Sequence, residues 1–234
     1  MQTSKPTRYL KLPFLFNEKR LVEEVETILR RKWTPHFNTG GYEGSWNSIA
    51  LYAPEGKENY IQAMPDEKST LQETAALKEA SYIKEVLNCF ECEFLSVRLL
   101  RLEVGAFIKP HRDYQLGYEN GCFRLHIPII THDKIEFILD NDHLMMLPGE
   151  CWYTNVNYVH SVANKGTKDR IHLVVDGARN SWSDELFFSL APKASFFPEQ
   201  RESYSPETKQ RIIEALKRMD TPASKSLIKK MSQD

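Results

Sequence analysis

Little in this chain points to a secreted, membrane or nucleic-acid-binding protein. Cysteine is scarce, four in 234 residues, too few for the disulfide framework of a small secreted domain. No stretch approaches the ~18 apolar residues of a spanning helix. The Met1 end has no apolar core followed by a small-residue cleavage site. Charge of one sign is missing too: 31 Lys+Arg stand against 32 Asp+Glu, a formal net charge of −1. No overall field therefore draws in nucleic acid or an anionic bilayer. The short basic run Lys225, Lys229, Lys230 reads as a solvated helix face, and internal repeats and long linkers are absent. These absences lead us to expect a protein of the reducing cytoplasm with neither nucleic acid nor membrane as partner. What remains is ordinary globular composition, 41% hydrophobic and 27% charged, and a length suited to one domain.

The hydrophobic period divides that single expected domain, 1–234, into three parts. Residues 1–93 read as mainly helical. Leu21, Val22, Val25, Ile28 and Leu29 recur at helical spacing within 17–32, with Asn17 as N-cap. A second helix is expected over 71–90, where Thr70 and Glu73 have capping-box spacing and Ala76, Ala80, Ile83, Leu87 and Phe90 form a stripe. Between them, residues 33–60 are rich in aromatics, Gly and Asn and suggest short strands and loops.

From 94 to 180 the period falls to two. Short β-prone runs occur at 97–104, 122–130, 135–139, 144–147, 150–154, 161–162 and 170–175, punctuated by Gly, Pro, Asn and Asp. Seven or eight such strands favour a mainly β jelly roll, two sheets face to face around a pocket. Residues 181–234 read as a helical extension. Its last helix opens at Ser205-Pro206 and runs through Ile212, Ile213, Leu216 and Met219.

The most informative residues lie in the β part: His111-Arg112-Asp113, then His160, then Arg170. In an extended segment His111 and Asp113 share a face while Arg112 points away. With His160 brought in from a distant strand end, two imidazoles and a carboxylate occupy one side of a metal. That is the donor set of non-haem Fe(II) oxygenases, whereas a closed zinc site needs a fourth protein ligand. An arginine just beyond the second histidine suits an acidic co-substrate. Two strands, Arg124-Leu125-His126 and Arg170-Ile171-His172, put Arg and His on one face and apolar residues on the other. Each guanidinium then snorkels to a rim, pairs with an acidic side chain or binds an anion, since burying it alone is costly.

Together these residues resemble the aspartyl/asparaginyl β-hydroxylase-like 2-oxoglutarate dioxygenases, nearest the bacterial proline cis-hydroxylase branch. The resemblance is carried by Ile108-Lys109-Pro110-His111-Arg112-Asp113-Tyr114, Arg124-Leu125-His126-Ile127, Pro148-Gly149-Glu150-Cys151-Trp152, His160-Ser161 and Arg170-Ile171-His172-Leu173-Val174-Val175-Asp176, across about 94–180. It implies a double-stranded β-helix with His111, Asp113 and His160 as catalytic iron ligands. It further implies Arg170 on the distal carboxylate of 2-oxoglutarate, with Arg124 and His126 at its other end, and O2 as the second co-substrate. Animal members of that family lack the carboxylate ligand, so Asp113 points to the small-substrate branch.

The expected activity is hydroxylation of an unactivated C–H of a free amino acid or small peptide. Hydroxylation of Asp or Asn side chains in proteins, and a cupin-type binding module without oxygen chemistry, stay open beside it. Arg112, Tyr114 and Trp46 are candidate substrate contacts, and residues 33–46 a candidate lid. Tyr118, Trp152 and Tyr153 also lie near the motif. Cys89-Phe90-Glu91-Cys92 lacks the second cysteine pair of a metal site, and His36, His132 and His143 read as ordinary surface or hydrogen-bonded histidines.

Overall fold

Alternation of apolar and polar residues builds the core of residues 5–197 from antiparallel strands. The structure, a computed structural model, describes residues 5–63, 70–197, 206–219 and 228. It divides into two units, 1–197 and 198–234. In the first, β1 (Tyr9–Leu15) leads to α1 (Glu18–Ile28), then β2 (Thr34–Pro35), β3 (Tyr42–Glu43), β4 (Trp46–Pro54) and β5 (Leu71–Glu73). Two short helices follow, α2 (Ala75–Lys78) and α3 (Ser81–Leu87), before β6 (Phe94–Leu102), β7 (Phe107–His111) and β8 (Cys122–Ile130). The chain continues through β9 (Ile135–Leu139), β10 (Asp142–His143), β11 (Glu150–Thr154), β12 (His160–Asn164), β13 (Arg170–Ala178) and α4 (Ser181–Leu190). In the second unit the helix expected after Ser205 is α5 (Pro206–Met219). Its Ser205 cap and the basic run at Lys225, Lys229 and Lys230 lie outside the described residues.

The larger sheet has the order β1-β11-β8-β13-β6-β4-β2 with β5 beside β4, and the smaller is β10-β9-β12-β7-β3. Their pairings are antiparallel throughout, which gives the expected jelly roll. Period two sorts the side chains of the larger sheet. Leu125, Ile127 and Ile129 of β8, with Ile171, Leu173 and Val175 of β13, join the main core cluster with Leu21 and Val25 of α1, Ile83 of α3 and Phe187 of α4. Arg124, His126 and Arg170 take the other face and reach the space between the sheets. A smaller cluster closes that space, with Leu102 of β6 packed among Ile108, Phe137, Leu139 and Val162 of the facing sheet.

The first 93 residues depart from the helical expectation. They supply β1 and β4 to the larger sheet, so the jelly roll begins well before residue 94. Pro13 argues against a strand, yet β1 is an edge strand, the one place where a missing N–H is tolerated. In β4, Ser48 to Leu51 are all buried, which erases the polar half of the alternation.

The helix expected over 71–90 is broken. Residues 71–73 pair with β4, and Thr74 caps α2 by accepting from Leu77 N. Helix α3 starts afresh because Glu24 of α1 accepts from the backbone N–H of Tyr82 at 2.6 Å and of Ile83 at 2.8 Å, satisfying donors a helix start leaves over. The stripe from Ala76 to Phe90 is nevertheless buried as read. Asn17 caps α1, accepting from Arg20 N at 3.1 Å. Residues 144–147 are not a strand, although Leu144 and Met146 are buried. Helix α4 begins where the helical extension was expected, and it opens on a capping box of Asn180 and Ser183. No helix among the described residues is long and apolar enough to cross a membrane.

Candidate metal centre

Strand register brings the two histidines together. His160 on β12 lies opposite His111 on β7, with ring centroids 4.1 Å apart. Asp113 follows just beyond β7, its N–H donating to Val156 O at 2.9 Å. One ligand atom from each of His111, Asp113 and His160 lies within 4.8 Å of the others.

Both imidazoles are oriented by the backbone. Nδ1 of His111 donates to Lys109 O at 2.8 Å and Nδ1 of His160 to Tyr158 O at 3.1 Å. A carbonyl only accepts, so Nδ1 carries the proton and each Nε2 keeps its lone pair for a metal. Desolvation, with His111 beside it, lowers His160 to about 4, a neutral ligand at physiological pH. Desolvation pushes the Asp113 carboxyl up, but the Arg124 charge and hydrogen bond and the nearby imidazoles outweigh it and hold the group at about 2.

Arg124 is the pivot of a buried ion network. Its Nη1 donates to Asp113 Oδ2 at 2.5 Å, while Nε and Nη2 donate to Asp176 at 2.7 and 3.3 Å. Arg98 adds a bond from Nη2 to Asp176 Oδ2 at 2.9 Å and one from Nη1 to Ile61 O at 2.8 Å. Of the alternatives open from sequence, Arg124 therefore pairs with acids. Three of its five donors are committed to them, which leaves fewer for the co-substrate contact that the family resemblance implies.

Arg170 differs. It is 2% exposed, no carboxylate among the described residues pairs with it, and its Nη2 donates to His172 Nδ1 at 2.9 Å. Its Nε is buried without a partner, as are His126 Nδ1 and Trp46 Nε1. Desolvation lowers Arg170 to about 9. A guanidinium buried this way is costly unless an anion meets it. Trp46, His126, His160 and Arg170 all line one small internal cavity of about 40 Å³. Two imidazoles and a carboxylate, with this orphaned cation lining the same small cavity, fit ferrous iron and a keto diacid.

A larger cavity of about 520 Å³ shares Trp46, His111, Asp113 and Arg124 with the small one and is also lined by His36 and Arg98 among others. Its volume lies in the range of small-molecule sites. All three candidate substrate residues border it. Tyr114 is 77% exposed, and Arg112 donates to Asn157 O at 2.9 Å. Trp46 forms an inner wall and stacks on His36 at 3.7 Å between ring centroids.

His36 is thus a cavity residue rather than an ordinary surface histidine, and its neighbours Phe37 and Asn38 lie at the same mouth. Arg98 and Asp176 were assigned no role from sequence. The alternation of β6 carried the signal for Arg98, by the same argument that singles out Arg124. Tyr118 and Tyr153 are wholly buried in the main core, away from the cavity. The four cysteines are free, and desolvation raises Cys92 to about 12, an inert thiol.

The aspartyl/asparaginyl β-hydroxylase family model matches residues 16–180. Among characterised relatives, L-proline cis-3-hydroxylase 2 from Streptomyces sp. is 25% identical over 178 residues, 73% of this chain and 61% of the relative. The match thus spans less than two thirds of that relative's length. Among solved structures, a 2OG-Fe(II) oxygenase family oxidoreductase from Burkholderia pseudomallei superposes with a TM-score of 0.52 at 15% identity. That superposition covers 74% of this chain and 87% of the other and shows a common fold.

Proposed function

This chain belongs to the aspartyl/asparaginyl β-hydroxylase family, and from that membership we propose an Fe(II)- and 2-oxoglutarate-dependent dioxygenase that hydroxylates a free amino acid or small peptide. The observation that carries the reading is the triad of His111, Asp113 and His160, which shares one small cavity with the buried guanidinium of Arg170 and contributes His111 and Asp113 to the larger one. When bound, iron and co-substrate supply the oxidising power: 2-oxoglutarate and O2 give succinate and carbon dioxide, with one oxygen atom passed to a substrate C–H.

The protein's own residues orient and exclude. His111, Asp113 and His160 would hold the metal. Arg170 receives the distal carboxylate of 2-oxoglutarate, and His126 and Arg124 border its other end. Trp46 and His36 form an aromatic wall that keeps water from the reacting C–H. A free amino acid is favoured by the cavity's size and by Arg98 in its wall, a cation for a substrate carboxylate. The activity named for the Streptomyces relative supports the same substrate class. The cytoplasmic expectation rests on four unpaired cysteines and the stability of ferrous iron in a reducing compartment.

The test is substrate-stimulated succinate formation with Fe(II) and 2-oxoglutarate, comparing free amino acids with protein lysate. Stimulation by free amino acids alone is expected. Stimulation by lysate protein alone would move the assignment to protein side chains. Absence of a weak charge-transfer band on anaerobic mixing of Fe(II) and 2-oxoglutarate would leave only a binding module.

A further inference from the structure

Asp176 sits between two guanidiniums on the inner face of the larger sheet, one removed from the metal ligands. On β13 it lies directly opposite Arg124 of β8, and on its other side opposite Ser96 of β6. Arg98, next on that face of β6, reaches it diagonally, an ordinary reach for a long side chain. Asp176 is 1% exposed and Arg98 5%, so this is an interior network.

A guanidinium is a rigid plane. Holding its Nε and Nη2 edge fixes where Nη1 points. Asp176 grips that edge of Arg124 through Oδ1 at 2.7 Å and Oδ2 at 3.3 Å, and the far side of the plane meets Asp113 Oδ2 at 2.5 Å. The other oxygen, Asp113 Oδ1, stands 3.7 Å from His111 Nε2, on the metal side. The two oxygens of Asp113 therefore have separate partners.

We infer that Asp176 is a positioning residue for the metal: acting through Arg124, it holds Asp113 as a one-oxygen ligand and keeps the second oxygen out of the coordination sphere. This rests on the triad reading above. Arg98 keeps the arrangement balanced, two cations against two carboxylates, and it also anchors Asp176 from the cavity side. If Asp176 loses its charge, Arg98 and Arg124 face each other with Asp113 as their nearby carboxylate among the described residues. Arg124 is then free to turn, and Asp113 turns with it.

The experiment measures Mn(II) affinity by calorimetry, and the visible spectrum of the Co(II)-loaded protein, for the full chain and its variants. Asp176→Asn is expected to weaken Mn(II) binding about tenfold, the loss typical when a partner of a metal ligand is removed, and to change the Co(II) spectrum as the carboxylate reorients. Asp176→Glu should fall between that variant and the wild type. The double variant Arg98→Gln with Asp176→Asn restores charge balance and should stay weakened. It also decides the matter if the single variant fails to fold.

Wild-type affinity and spectrum in Asp176→Asn would overturn the inference. So would recovery of wild-type affinity in the double variant, because the effect would then be charge imbalance alone. Asp113→Ala separates the two levels. If it weakens Mn(II) binding while Asp176→Asn does not, this inference alone fails. If Asp113→Ala also binds as the wild type does, the triad reading itself fails.

Discussion

Each metal-facing histidine uses both ring nitrogens, one on a backbone carbonyl two residues earlier and one toward the metal position. That pattern sets the tautomer without help from another side chain. Arg170 is the complementary case, a cation whose partner among the described residues is the neutral ring of His172, with no acid beside it there. Arg170→Ala is expected to raise the 2-oxoglutarate concentration for half-maximal turnover about 10- to 100-fold. That corresponds to losing charge-assisted bonds worth about 1.5–3 kcal/mol. Succinate formation against 2-oxoglutarate concentration checks it, and an unchanged requirement removes Arg170 from that role. The residue types were legible in sequence because strand alternation puts Arg124 and Arg170 on inner faces. Their different partners were not, since both begin as the same Arg-x-His pattern.

At the scale of elements, the site depends on strand pairings more than on any single strand. The β7–β12 register sets His111 against His160, and the β8–β13 register sets Arg124 against Asp176. The outer end of the larger sheet is held by a tight approach near Gly149. Phe16 N donates to Gly149 O at 2.8 Å, Gly149 has φ +76°, and a Cβ there would lie 2.3 Å from Phe16 O. Gly149→Ala should therefore destabilise the protein by about 1–3 kcal/mol. Gly105, with φ +77° and open space around its Cβ position, should lose less on the same change. Thermal melts of the two variants make the comparison, and equal losses would mean the close approach contributes nothing. The Pro148-Gly149 turn was visible in sequence. The strand it locks, β1, was not, because its partner β11 lies far along the chain.

At the scale of the whole molecule, burial of histidine makes stability depend on pH. Desolvation, with nearby arginines, lowers His36 to about 4 and holds His126 and His172 well below their ordinary value. The unfolded chain therefore binds more protons than the folded one below about pH 6.5, and stability rises with pH there. This contribution is complete above about 6.5 and is lost as pH falls toward the lowered folded values. The melting midpoint of the metal-free protein should drop by several degrees between about pH 6.5 and 4, at about 2–4 °C per kcal/mol for a chain of this size. A flat midpoint over that window would contradict neutral, buried imidazoles.

By itself the sequence determined the chemistry on offer and the face each donor takes, because residue type and a period of two are local properties. It settled a jelly roll, an His-x-Asp pair with a later histidine, and two inward arginines. Only the tertiary structure decided that Arg124 belongs to Asp113 and Asp176 while Arg170 meets no acid among the described residues, and that β1 and β4 complete the larger sheet. Those outcomes depend on which strands become neighbours and in what register, and strands distant along the chain carry no local mark of the partner they will meet.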